Sequence, residues 1–209
     1  MARYQKTGTV DGYAALKAAA RAAPGVHVSH TALPAKRVIE CYKCGYTFQQ
    51  HGKTTTTTCS KCRHVLDLTD HTLERDCNET IQTCGTITIP DRVAINGGNL
   101  IGNDVRLDGT LRAGTIRALR RLELGPGASF PEHLVTARDL KILRGAVIVF
   151  EQPAEFRDVE IAGVMRGRLR ASGTVTIHPG AEFAGELTTA RLIVADGGGL
   201  NARVRVEVR

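Results

Sequence analysis

From Ile87 onward the chain repeats one small pattern: an apolar residue, any residue, a second apolar residue and, usually within three positions, a glycine-containing turn. The pattern reads Ile87-Thr88-Ile89, Val105-Arg106-Leu107, Leu122-Glu123-Leu124, Leu140-Lys141-Ile142, Val159-Glu160-Ile161, Val175-Thr176-Ile177 and Leu192-Ile193-Val194. Successive pairs are 18, 17, 18, 19, 16 and 17 residues apart, so the six steps from 87 to 192 average 17.5 residues. In a strand, residues i and i+2 share a face, which lets each apolar pair point inward while the middle residue meets water. One such strand cannot bury its face alone. Stacking the next coil about 4.8 Å above it builds a continuous core from pieces too small to fold singly.

The corners fit this reading. Asp108-Gly109, Gly125-Pro126-Gly127, Arg144-Gly145, Ala162-Gly163, Pro179-Gly180 and Asp196-Gly197 put glycine where the chain must turn sharply. A further apolar residue follows several of them (Leu111, Phe130, Ile148, Met165, Phe183, Leu200), which predicts about three short strands per coil. The expected fold is therefore all-β: a β-solenoid of about 17–18 residues per coil. A β-sandwich also carries short strands with frequent turns but does not require a registered repeat. A left-handed β-helix steps by six residues, and from Val105 that step meets Leu111, then the charged Arg117 and Glu123.

One motif ahead of the repeats carries explicit chemistry. Cys41-Tyr42-Lys43-Cys44 and Cys59-Ser60-Lys61-Cys62 form two C-x2-C pairs, spaced so that four thiolates can close around one tetrahedral ion. Cys41, Cys44, Cys59 and Cys62 are thus expected to hold one structural Zn2+ per chain in a zinc ribbon. Tyr46 and Phe48 alternate on its outgoing strand, His51-Gly52 turns, and the threonine run 54–58 suits the return strand. Cys77 and Cys84 lie beside strand-like sequence and are expected to be small buried residues. The reading divides the chain into a basic tail lacking packed structure (1–40), the ribbon (41–65), an acidic bridge (66–79) and the β-helix (80–209). Within the bridge, Leu66, Leu68 and Leu73 are candidates to pack the ribbon against the first coil.

Charge and composition refine the picture. The net charge of +7 is concentrated early: residues 1–65 hold ten Lys or Arg against Asp11 and Glu40. Aromatics make up only 4% of the chain, with no Trp, which suits a narrow aliphatic core. No apolar run is long enough to span a membrane, and no secretory leader pattern is present, so a cytoplasmic location is expected. His133 and His178, with Glu132 and Glu182 nearby, have no nucleophile or phosphate loop at a useful spacing, and no enzyme activity is expected.

The repeated apolar pairs with glycine turns, preceded by a C-x2-C ribbon, resemble the bactofilins, polymer-forming bacterial cytoskeletal proteins, and in particular a subset carrying an N-terminal zinc ribbon. The resemblance covers residues 41–209. It implies a right-handed β-helix, end-to-end assembly without nucleotide, and scaffolding at the inner face of the cell membrane or beside cell-wall machinery. Most bactofilins lack the ribbon. The partner implied is a second copy, in a homopolymer or an end-to-end dimer. Alternating sequence runs from Arg203 through Val208 with no helix-like cap after it, so the expected self-assembly edge is Val204, Val206 and Val208. The alternative function is a nucleic-acid-binding or regulatory adaptor that uses the ribbon and the basic tail.

Overall fold

The structure is a computed structural model and describes residues 37–52 and 54–207. The segment 1–36, which holds nearly all of the expected tail, lies outside the described residues. Four short strands come first: β1 (Arg37–Glu40), β2 (Thr47–Gln50), β3 (Thr56–Thr58) and β4 (Val65–Asp67). The solenoid follows as β5 (His71–Thr72), β6 (Ile81–Gln82), β7 (Thr86–Ile89), β8 (Ala94–Leu107), β9 (Thr110–Leu124), β10 (Val135–Ile142), β11 (Val147–Phe156), β12 (Val159–Ile161), β13 (Val164–Ile177), β14 (Glu182–Val194) and β15 (Gly199–Val206). A 3-10 turn, Glu132–Leu134, is the only helical element among the described residues.

The seven apolar pairs stack in one parallel column. Ile87 pairs with Val105, Val105 with Leu122, Leu122 with Leu140, Leu140 with Val159, Val159 with Val175 and Val175 with Leu192. The column gains one more rung, His71 beside Ile87, so this β-solenoid has about eight coils. A second face stacks Cys77, Ile95 and Leu111, then Ile148, Met165, Phe183 and Leu200. The third stacks Ile81, Leu100, Ile116 and Val135, then Ala154, Leu169, Leu187 and Val204. Most of these side chains are fully buried, each contributing roughly 1.5–3 kcal/mol by leaving water.

Corners between the first and second faces are true turns, closed by bonds such as Val93 N–H to Pro90 O, Ala146 N–H to Leu143 O and Ala181 N–H to His178 O. The third-to-first corners are turned by polar side chains. Asp158 accepts the Thr174 N–H at 2.8 Å, and the Thr83 hydroxyl donates to Thr69 O at 2.7 Å while accepting from Gly85 N–H. Buried Asp139 receives both Nε and an Nη of Arg157, at 3.0 and 2.8 Å.

One joint departs from the regular stack. Between the coil that starts at Leu122 and the one that starts at Leu140, only the first face carries a ladder. On the second face the chain takes the 3-10 turn, and the Glu132 carboxylate accepts the Glu151 and Gln152 N–H groups at 2.6 and 3.0 Å. Phe130 meets Phe150, and Phe150 meets Phe156, both edge-on with centroids about 6 Å apart, filling the gap.

Where a short corner lies on a long one, space is minimal. A Cβ on Gly163 would run into the Ala146 and Leu143 carbonyl oxygens. We expect Gly163→Ala to cost about 1–3 kcal/mol, and Glu123→Ala, which alters a water-facing middle residue, less than about 0.5 kcal/mol. Urea midpoints at unchanged m-value would check both.

Candidate metal centre

Each C-x2-C pair sits at the tip of its own hairpin. β1 and β2 are antiparallel, with Arg37 opposite Gln50 and Glu40 opposite Thr47, and residues 41–44 form the tip. β3 and β4 are antiparallel with Thr58 opposite Val65, and residues 59–62 form the second tip. The sequence reading ran the threonine run back along the strand bearing Phe48; the structure corrects this. A tight thiolate turn folds the chain onto itself, so each strand finds its partner across its own tip. The link between hairpins is from side chains, among them the Thr57 hydroxyl donating to Gln50 Oε1 at 3.0 Å and Tyr42 Oη to Val65 O at 3.4 Å.

The two tips share one local geometry. Gly45 N–H bonds Cys41 O at 2.8 Å, and Arg63 N–H bonds Cys59 O at 2.9 Å; Cys41 N–H bonds Tyr46 O, and Cys59 N–H bonds His64 O. The residue after each second cysteine enters the left-handed region, Gly45 at φ 68° and Arg63 at φ 58°. Glycine does this freely, whereas arginine carries a steric cost.

The four sulfurs converge, all within 4.8 Å of one another. Cys41 Sγ lies 3.7 Å from Cys62 Sγ, and Cys44 Sγ 3.7 Å from Cys59 Sγ. A tetrahedral ion with metal–sulfur bonds of about 2.3 Å has sulfur–sulfur edges of about 3.8 Å, so the donor set fits a metal ion. No disulfide forms; all six cysteines are free thiols. Crowding separates their acidities. At Cys44 the Tyr46 N–H favours the thiolate, but desolvation and sharing protons with Cys62, Cys41 and Cys59 win, pushing the thiol up to about 12. Cys59 is drawn down to about 7, chiefly by the Cys62 N–H.

Ile39, Cys41, Cys59, Leu66, Leu68 and Cys84 form the small core under the site. Cys84 belongs to the solenoid's first corner; its Sγ donates to Glu40 O at 3.4 Å, and burial pushes its thiol up to about 11. Cys77 is buried in the main core. The hairpins are fastened along the solenoid's flank. Arg37 donates to Leu68 O at 2.9 Å and pairs with Asp70 at 3.1 Å, and Glu40 meets Arg138, 98 residues later, at 2.9 Å. β1 takes its residues from the stretch expected to be tail, and β5 lies inside the stretch expected to be a bridge.

The expected assembly residues lie at the other end. Val204 and Val206 sit on β15 opposite Leu187 and Thr189; Val208 lies outside the described residues. Ile193, Val194 and Leu200 are exposed on the same terminal coil. Sequence reasoning left these out because it treated them as ordinary repeat positions. Their position on the last counted repeat was the signal available for them.

Fold and site together describe a parallel β-solenoid with a four-cysteine hairpin module on its flank. Residues 133–205 match the bactofilin family model, described as polymer-forming cytoskeletal; the match begins within the 3-10 turn and covers β10 to β14 and all of β15 but its last residue. No curated protein and no solved structure matches the chain. The match and the solenoid fit a polymer-forming cytoskeletal scaffold.

Relieving the strained position should strengthen the site. Arg63→Gly is expected to stabilise the metal-loaded protein by about 0.5–1 kcal/mol, and Gly45→Arg to weaken it by a similar amount. Thermal melts compared with and without chelator would detect both.

Proposed function

We propose that the chain is a self-assembling structural scaffold that polymerises without nucleotide through the ends of its solenoid. The observation that carries this is the terminal coil. Val204 is 36% exposed, Leu200 38% and Val206 54%, whereas their stacked equivalents one coil earlier, Leu187, Phe183 and Thr189, are at 1% or less. Among the described residues β15 pairs on one side only, with β14. An open strand edge carrying aliphatic side chains is a template for another strand.

The cysteine module then acts as a docking unit holding one Zn2+. Four thiolates close the coordination sphere and leave no position for substrate, so the ion is structural. Fastened to Asp70, Cys84 and Arg138 on the flank, the module leaves the coil ends accessible for stacking. A cytoplasmic setting goes with this reading, since four cysteines gathered for a metal and two more left unbridged suit a reducing compartment. Among the described residues no helix is long and apolar enough to cross a membrane. Contact with a membrane surface or cell-wall machinery would follow from the scaffold role.

A nucleic-acid adaptor has weaker support. Along the flank Arg120 is held by Asp104, Arg121 by Glu160, Arg138 by Glu40 and Arg157 by Asp139 and Asp158, so these guanidinium groups are already committed to carboxylates.

Negative-stain microscopy of the full chain, in physiological salt without nucleotide, tests the scaffold reading. Filaments should form and should disappear in Val204→Asp/Val206→Asp with the fold retained by circular dichroism. Metal analysis of the same sample should return one zinc per chain. A wild-type protein that stays monomeric at tens of micromolar would overturn the assembly reading.

A further inference from the structure

The flank arginines that meet carboxylates are not equally satisfied. At the corner where each coil enters the first face, Arg120 donates Nε and Nη2 to Asp104, 16 residues earlier, and Arg157 donates the same two nitrogens to Asp139, 18 residues earlier. Each reaches back one coil and grips a carboxylate with the Nε/Nη2 edge of its fork. Arg138 holds the equivalent position on the coil between them. The residue one coil back from it is Arg121, which the ladder places between Asp104 on β8 and Asp139 on β10.

Arg138 therefore meets a like charge where its neighbours meet an aspartate. Its Nη1 turns instead to Glu40 of the cysteine module at 2.9 Å, and its Nε is buried with no hydrogen-bond partner among the described residues. A buried guanidinium N–H without an acceptor is costly. Arg121 is held loosely as well: its Nη2 lies 3.5 Å from Glu160, a carboxylate it shares with Lys141 at the same distance. Both arginines line one cavity of about 490 Å3 on the flank, together with Arg106, Arg120 and Arg157. Small-molecule sites commonly have this size.

We propose that this cavity binds a phosphate dianion, free or as the terminal group of a small phosphorylated molecule, held between the Nε/Nη2 edge of Arg138 and the guanidinium of Arg121. Two phosphate oxygens match that edge as the carboxylates of Asp104 and Asp139 match it on Arg120 and Arg157. A third oxygen is left for Arg121. Two under-paired guanidinium groups suit a dianion better than a carboxylate, which brings one charge. The acids nearby do not oppose it freely. Asp104 and Asp139 are each gripped by an arginine, and Glu123 lies between Arg106 and Lys141 in its own column. Glu40 keeps its bond to Nη1, so binding leaves the module fastened.

Isothermal titration of the full-length protein, in low-salt buffer free of phosphate, reads this site per chain whether or not the chains assemble. Inorganic phosphate and glycerol phosphate are the probes, with acetate as the control. Saturable binding at one site per chain is expected, with acetate weaker by more than about tenfold. Arg121→Asp restores the carboxylate that the neighbouring coils carry, so it should leave the thermal melt unchanged or higher and lower phosphate affinity by more than about tenfold. Tighter binding of glycerol phosphate than of inorganic phosphate would assign the site to a phosphorylated small molecule, and equal or weaker binding to the free ion. Phosphate heats that do not saturate, acetate that binds as well as phosphate, or an Arg121→Asp protein that binds phosphate like the wild type would each overturn the proposal. Should Arg121→Asp misfold, Arg138→Gln carries the same expected loss of affinity.

Discussion

The solenoid depends on one constraint: each of its strands satisfies its backbone and buries its apolar pair only against the coils on either side. A rung such as Val159-Glu160-Ile161 is three residues long and has no independent reason to be a strand. It becomes one because Leu140 lies on one side and Val175 on the other. Stability in such an array is close to a sum over neighbouring interfaces. The same constraint explains why the ends matter, since a terminal coil has half of its bonds unmade.

The cysteine module obeys a different economy. Its strands are three or four residues long and its core is six side chains, too few to hold two hairpins by burial alone. A metal ion held by the four cysteines would supply what packing lacks, since in such small units binding free energy is folding free energy. Its attachment uses groups the repeat cannot supply. Asp70 and Cys84 belong to the first coil and its corner, and Arg138 reaches in from farther along the flank.

Much of this was legible beforehand because period-2 alternation and a constant spacing are strong signals. The seven pairs from Ile87 to Leu192 stack in the column their spacing implied, and the four cysteines converge as the C-x2-C spacing required. What stayed hidden has physical causes. The rung at His71 was missed because its inward position holds an imidazole, kept there by Thr69 Oγ1 at 3.0 Å and Asp67 Oδ2 at 3.1 Å. The third-to-first corners escaped notice because Thr83, Asp139 and Asp158 turn them with side-chain bonds, and the glycines beside some of them, Gly85 and Gly173, do not recur at every coil. The partner of the threonine run was misassigned because threonine favours strands without specifying a neighbour. The Glu40–Arg138 contact spans 98 residues and has no local sequence signal at all.

The joint filled by Phe130, Phe150 and Phe156 gives the solenoid uneven compliance. Three ladders cross the next coil boundary, where β10 meets β12 and β11 meets β13 on the remaining two faces, but one ladder crosses this joint. Aromatic packing resists compression well and shear poorly, because it lacks the directional bonds of a ladder. A rod built this way concentrates bending at one place, leaving the coils on each side to move as stiff segments. The bactofilin match begins at residue 133, within this joint, so the sequence boundary and the mechanical one coincide. In a filament the joint would recur once per subunit, and the polymer's curvature would be set there, by three phenylalanines and the Glu132 carboxylate.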